Sequence, residues 1–275
     1  MPTQTGSPFL RWAGSKRWLI NEVLARRPVR YGRYFEPFLG SGAVFFALRP
    51  EKAVLGDAIG PLIDCYRCVK EDHTRVFKHL SGWGVDKESF YSLRSATIQD
   101  PFERAAQFIY LNKTAFNGLY RVNKEGRFNV PFGRPKTNRT ATLHDLERAA
   151  DALECADLRA GDFENTLDGA QEGDLVFLDP PYVAGHRANG FVDYNSRLFD
   201  WADQVRLRNV FVDLDRRGIN VLLTNAAHSS VRELYAGFAV NEYARHSSMA
   251  AATSARGRSA ELLVLGATLE RNLRG

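Results

Sequence analysis

Cysteine is scarce in this chain. Three occur among 275 residues, an odd number, which excludes a disulfide scaffold and points to a reducing compartment. Long apolar runs are missing too: none approaches the roughly 18 residues that a membrane helix needs, so no membrane contact is expected. The opening residues, Met1-Pro2-Thr3-Gln4-Thr5-Gly6-Ser7, have neither the basic nor the apolar region of a secretory signal, and a cytoplasmic location is the expectation. No G-x-x-x-x-G-K-[ST] motif occurs, which disfavours a P-loop nucleotidase. The six histidines (His73, His79, His144, His186, His228, His246) show no catalytic spacing and read as surface or packing residues. Cys65-Tyr66-Arg67-Cys68 has metal-like spacing, but only Cys155 remains elsewhere and no histidine clusters with it, so no metal is expected.

What is present is a folded-enzyme composition, with 44% hydrophobic, 25% charged and 12% aromatic residues. Enough apolar content to offset chain entropy excludes disorder as the main state. The net charge is +5, and its distribution is uneven. From Lys113 to Arg139 there are seven cations and one anion, a net of +6, so the rest of the chain is about neutral. Such a window is either a solvated basic loop or a polyanion-binding surface, and charge alone leaves both readings open.

Strand and helix patterns alternate, lapse and resume. Arg33–Phe38 reads as a short strand running into Gly40-Ser41-Gly42, and Ala43–Leu48 as a buried helix start. Ala53–Gly56 is a second strand ending on Asp57, and Leu62–Lys70 has a helical stripe. From about Cys68 to Ala150 the alternation lapses. Phe102–Asn112 and Leu143–Leu153 read there as amphipathic helices flanking the basic window, whose Asn117-Gly118 and Glu125-Gly126 pairs are turn signals. Strands then resume at Asp174–Leu178, Ile219–Thr224 and Ala260–Leu265, with a helix at Ser230–Gly237. The pattern predicts an α/β, doubly wound, mostly parallel sheet, whose ligands bind beyond the carboxyl ends of the strands. The polar residues just past those ends are Glu36, Asp57, Asp162, Asp179 and Asn225. Trp201 and the Phe45-Phe46 pair read as core. Arg256 and Arg258, in an expected loop from Met249 to Ser259, are either phosphate contacts or solvated charges.

Two motifs carry chemistry. Phe38-Leu39-Gly40-Ser41-Gly42 follows a strand, where glycines permit a tight turn and a close backbone approach to a ligand. Asp57 lies 15 residues after Gly42, at the end of the next strand, where a carboxylate accepts from ribose hydroxyls in dinucleotide folds. The second motif is Asp179-Pro180-Pro181-Tyr182. Its paired prolines make a stiff turn lacking two N–H groups, and its carboxylate beside a free carbonyl suits an exocyclic amino group. Tyr182 offers a flat face for a base.

Together with Phe9-Leu10-Arg11-Trp12-Ala13-Gly14-Ser15-Lys16, these segments are similar to the motif set of the Dam-type, α-class (D12) DNA adenine-N6 methyltransferases. The resemblance runs from Phe9 to about Leu265 and includes Tyr110-Leu111-Asn112, Asn117–Arg121 and Phe128–Arg134 in the middle. It implies a Rossmann-like class I methyltransferase sheet in residues 1–67 and 151–275. Residues 68–150 would be an inserted, mostly helical target-recognition domain carrying a β-hairpin. S-adenosyl-L-methionine would be the cofactor and S-adenosyl-L-homocysteine the product. Trp12, Lys16, Glu36, Pro37, Phe38, Gly40, Ser41, Gly42, Asp57, Asp162, Phe163 and Asp179 would line its pocket.

The resemblance also implies double-stranded DNA as partner and GATC as target. Arg121 would read guanine, since its fork matches the guanine O6 and N7 acceptors. Leu119 and Pro131 would make apolar base contacts, and Phe116, followed by Asn117, would wedge into the base stack. Arg94, Asn123, Asn129 and Arg134 would touch the backbone. Adenine N6 is unreachable inside the stack, so the base must flip. Asp179 and the Pro180 carbonyl would then accept its two N–H bonds during methyl transfer. Cytosine-C5 chemistry needs a cysteine after proline, whereas Cys65, Cys68 and Cys155 follow Asp64, Arg67 and Glu154. The alternatives are an RNA adenine-N6 or DNA cytosine-N4 methyltransferase, or a catalytically silent DNA-binding relative. A monomer is expected, with a cognate restriction endonuclease as a conceivable partner.

Overall fold

The computed structural model describes residues 8–137, 140–182, 199–246 and 258–274. Among the described residues seven strands make one sheet: β1 (Tyr34–Glu36), β2 (Ala53–Asp57), β3 (Ala156–Ala160), β4 (Leu175–Leu178), β5 (Asn220–Ala226), β6 (Ala239–His246) and β7 (Arg258–Leu265). Their order is β3-β2-β1-β4-β5-β7-β6. The pairs β2–β3, β1–β4 and β4–β5 are parallel, whereas β7 runs antiparallel to both β5 and β6. This is the expected Rossmann-like α/β sheet. β1, β2 and β4 are buried along their whole length, as their unbroken apolar runs require in a sheet covered on both faces. Strand order reverses at β1 and β4, the switch point where such sheets bind ligands.

Two compact units divide the chain. The first comprises Met1–Leu24 and Leu39–Phe163, the second Ala25–Phe38 and Glu164–Gly275. The expected insertion, residues 68–150, lies wholly within the first.

The first unit is built on the long helix Gly60–Ser81, which packs on Pro101–Thr114 and Leu143–Leu153. The sequence stripe predicts that helix only as far as Lys70. It continues instead to Asp72, which leaves helical geometry (φ −152°, ψ 82°) and restarts the helix by accepting from the Arg75 N–H at 2.9 Å. The other helices carry their own start signals. Asp86 caps Lys87–Ser95, Asp100 caps Pro101–Thr114, and Thr142 with Asp145 forms a capping box for Leu143–Leu153. Each such cap contributes about 1 kcal/mol. The segment 114–133 folds back on itself. Val122 bridges Phe128 and Ala115 bridges Phe132, both antiparallel, so the expected hairpin exists as isolated bridges. Pro131 has no N–H to extend the ladder.

In the second unit, buried Asp174 accepts from the Arg33 N–H at 2.7 Å and so ties the start of β1 to β4. The helix Trp201–Arg216 opens with an Asp200/Asp203 capping box. Trp201, expected in the core, is 38% exposed on its first turn, whereas Phe45 and Phe46 are fully buried. Arg258 opens β7 and is not in a loop, while Arg256 and His186 lie outside the described residues. Both sheet edges carry ion pairs: Asp157 with Arg159 on β3, and Glu242 on β6 with Arg232.

Candidate active site

In the second unit β4 ends at Leu178, and Asp179-Pro180-Pro181-Tyr182 follows at once. Three buried side chains brace this tetrapeptide. The Thr224 hydroxyl on neighbouring β5 donates to Asp179 Oδ1 at 2.7 Å. The Gln204 amide donates to the Pro181 carbonyl at 3.2 Å and accepts in turn from the Asn225 amide at 3.0 Å. The Tyr182 hydroxyl donates to Glu261 on β7 at 2.8 Å. Burial, with Asp179 and Glu261 close by, pushes the Tyr182 phenol well above its ordinary range, so the hydroxyl stays a donor. At the end of β1, Glu36 is 3% exposed and accepts from the Tyr34 hydroxyl at 2.8 Å. Phe38 meets Phe199 edge-on at 5.6 Å.

The glycine loop belongs to the first unit from Leu39 onward. Gly40 and Gly42 have φ of +47° and +65°, in the left-handed region open to glycine. A Cβ on Gly40 would lie 2.7 Å from Trp12 Cδ1, so a larger residue is excluded. Asp57 is held at both oxygens, accepting from the Gly40 N–H at 2.9 Å and the Ile59 N–H at 3.0 Å. Burial raises its pKa to about 6, against the lowering effect of those two bonds. The Gly161 N–H donates to the Asp57 carbonyl at 3.0 Å, which brings exposed Asp162 and buried Phe163 beside the end of β2. Ser41 lies 3.2 Å from Ser15, oxygen to oxygen. Lys16 is 3% exposed with its ammonium on the Gly14 carbonyl at 2.8 Å. Thus Trp12, Gly40, Asp57 and the 161–163 loop gather in this unit.

The same unit holds the basic segment. Phe116 is 51% exposed on a tight turn in which Asn117 takes φ +55°. Arg121 donates through Nε to Asn129 Oδ1 at 2.7 Å. Asn123 uses its side-chain oxygen to close its own turn, accepting from Glu125 and Arg127. Arg94 lies over the Tyr91 ring and donates to the Val130 carbonyl. Pro131 and Arg134 are exposed, and Leu119 is half-buried. Lys113, known from the sequence only as one cation of the window, is set apart by its surroundings. Burial, helped by Arg11 and Arg17, lowers its pKa to about 8.

Thr224, Gln204 and Glu261 were not singled out by sequence. The signal nearest to them was Asn225, marked as a polar residue at a strand end. Among the described residues no cluster of three or more metal-ligating side chains occurs. Cys65 and Cys68 face the carbonyls of Ala105 and Pro101.

The glycine turn and the buried acid that ends β2 lie in one unit and the braced Asp-Pro-Pro-Tyr after β4 in the other, and comparison with known families gives the class of protein. Residues 12–249 match the model of the D12 class N6 adenine-specific DNA methyltransferases. The chain belongs to that family. It is 36% identical over 267 residues to the type II methyltransferase M1.LlaDCHI of Lactococcus lactis subsp. cremoris, covering 94% of each chain. It is 31% identical over 264 residues to a DNA adenine methylase of Vibrio cholerae, covering 94% of this chain and 95% of that one. A DNA adenine methylase of Haemophilus influenzae is 32% identical over 240 residues, 84% of this chain and 83% of its own. No helix among the described residues is long and apolar enough to cross a membrane.

Proposed function

We propose that the enzyme methylates N6 of an adenine flipped out of duplex DNA, within GATC, using S-adenosylmethionine. The observation that carries the reading is the bracing of Asp179, Pro181 and Tyr182 by Thr224, Gln204 and Glu261. A tetrapeptide held at three points presents fixed acceptors, and catalysis of this kind is positioning and electrostatics. Asp179, fixed at Oδ1 by Thr224, would accept one amino N–H of adenine through its carboxylate. The Pro180 carbonyl accepts the other. Accepting both favours a more tetrahedral nitrogen whose lone pair is free to attack. Tyr182, its hydroxyl anchored, stacks on the base. Asp179 need not be a strong base, because the proton leaves after transfer.

S-adenosylmethionine supplies a methyl group on a positively charged sulfur. The residues of the first unit fit this ligand. Gly40 and Gly42 bare the backbone, and Asp57 retains a lone pair on each oxygen for ribose hydroxyls. Asp162 and Phe163 would hold the adenine moiety, with Trp12, Lys16 and Ser41 around the loop. In the second unit Glu36, Pro37 and Phe38 would serve the methionine end.

Residues 68–150 would form the target-recognition part. Arg121 would read guanine, Leu119 and Pro131 the apolar edges, and Phe116 with Asn117 the stack opened by the flipped base. Arg94, Asn123, Asn129 and Arg134 would touch phosphates. Flipping costs a few kcal/mol of unpairing, which Phe116, an exposed aromatic, would offset. The type II designation of the Lactococcus relative favours a restriction endonuclease as partner. Action as a cytoplasmic monomer completes the reading.

The test is single-base methylation mapping of duplex DNA incubated with the protein and S-adenosylmethionine, with Asp179→Ala as control. N6-methyladenine confined to GATC and absent with the variant is the expected result. Methylation in another motif would discard the GATC assignment, and equal activity of the variant would discard Asp179.

A further inference from the structure

Trp12 touches two segments to which the family reading gives different ligands. On one side its indole closes over Gly40, where a Cβ would lie 2.7 Å from Cδ1. On the other, its ring stacks on Tyr120, with centroids 6.0 Å apart and planes 18° from parallel. Phe108 at 5.2 Å and Phe128 at 5.9 Å hold the Tyr120 ring from other directions. Tyr120 directly precedes Arg121, whose Nε is tethered to Asn129 at 2.7 Å.

A polar clasp reinforces the contact. Asn112, 1% exposed, donates to the Arg11 carbonyl at 2.7 Å and accepts from the Arg11 N–H at 2.8 Å. It also reaches the Gly118 carbonyl at 3.4 Å. At Gly118 (φ +64°) a Cβ would lie 2.6 Å from Arg11 Cβ, so the turn sits directly on the strip 11–12. All these residues lie in the first compact unit.

We propose that Tyr120 is a positioning residue for target discrimination. Through its stack on Trp12 it ties the pose of Arg121 to the occupancy of the Gly40 loop, so a filled loop sharpens the choice of duplex. This rests on the proposed assignments of that loop to the cofactor and of Arg121 to guanine. A ligand that fixes the loop fixes the indole lying on it. The indole then restricts Tyr120, because a close-packed ring stack has few alternative arrangements. Linkage makes the effect reciprocal: whatever factor the cofactor adds to cognate-duplex affinity, the duplex adds to cofactor affinity.

The test is a binding cycle with S-adenosylhomocysteine as the non-reactive probe. Two duplexes are used, the sequence that methylation mapping identifies and the same sequence with one guanine replaced. Affinities are measured with and without the probe for wild type, Tyr120→Phe, Tyr120→Leu and Tyr120→Met, and probe affinity is measured with and without duplex. In wild type and Tyr120→Phe, which keeps a flat ring, the probe should tighten the cognate duplex about fivefold or more relative to the substituted one. In Tyr120→Leu and Tyr120→Met that factor should fall to about one while the probe still binds, as expected of an effect carried by ring stacking. Tyr120→Met keeps apolar volume, so the test stands even if the leucine variant does not fold. No preferential tightening in wild type, or full tightening in Tyr120→Met, overturns the inference. Failure of wild type to bind the probe at all strikes the cofactor reading instead.

Discussion

Thr224 holds Asp179. The two lie 45 residues apart, yet the threonine hydroxyl is 2.7 Å from Oδ1 of the aspartate and 3.4 Å from the Leu178 carbonyl, and the shorter contact takes the proton. Parallel pairing of β4 with β5 places them side by side, one residue beyond the Leu178–Leu223 pair.

The Thr224→Val substitution keeps the shape and removes the donor. Asp179 then loses one of its fixed bonds and swings. Misplacing a reacting group by about 1 Å costs up to roughly 100-fold in rate. The expected outcome is a fall in kcat of that order with KM little changed, and recovery in Thr224→Ser. Steady-state methylation assays check it, and an unchanged kcat in the valine variant would remove Thr224 from the machinery.

Arg121→Ala is expected to cost about 1–3 kcal/mol of duplex affinity and to relax the preference at a single guanine. Competition binding against duplexes substituted one position at a time reads this directly. A loss equal for every sequence, with a salt dependence shallower by about one ion, would make Arg121 a phosphate contact. Asn129→Ala should relax the same preference more mildly, since Asn129 orients the guanidinium, on top of a uniform loss from its own backbone contact.

Asp57 predicts a pH dependence. Its folded pKa is raised from 3.8 to about 6, so the folded chain keeps a proton there that the unfolded chain has released. The stabilising contribution of the protonated form is complete below pH 3.8 and is lost as pH rises through 6, about 3 kcal/mol by the shift alone. Ligand binding runs the other way. An ionised Asp57 is the better acceptor for ribose hydroxyls, so S-adenosylhomocysteine should bind more weakly as pH falls below 6. Asp57→Asn should bind weakly with a flat profile from pH 5 to 8. Calorimetric titration across that range decides it, and a wild-type affinity that is level through pH 6 would count against the ribose assignment.

Much of the fold was legible because it is local. Leu143–Leu153 announces itself by its stripe, and Ala43–Leu48 begins directly after the glycine turn. β3, marked in the sequence only by Asp162 beyond its end, and β6 are hard to read for one shared reason. Ala-Asp-Leu-Arg-Ala and Ala-Val-Asn-Glu-Tyr-Ala-Arg-His are too polar to read as strands, since each lies at a sheet edge with one neighbour only. The helix Trp201–Arg216 gives no clear stripe in the sequence, its apolar positions being broken up by six charged residues. In the candidate site, the tetrapeptide and the glycine loop were visible as contiguous words. Their supports were not. Gln204 and Glu261 reach the tetrapeptide across 23 and 79 residues, and only the folded sheet brings them there.

The charged pairs on β3 and β6 have a further effect. A strand edge with free N–H and C=O groups is a template for the next molecule. Here an incoming strand would have to strip Asp157, Arg159 and Glu242 of water before it could pair. On β3 the Ala156 and Leu158 carbonyls are in addition taken by Lys70 and Arg67, each at 2.7 Å, so among the described residues the two outer strands of the sheet are guarded against edge-to-edge aggregation.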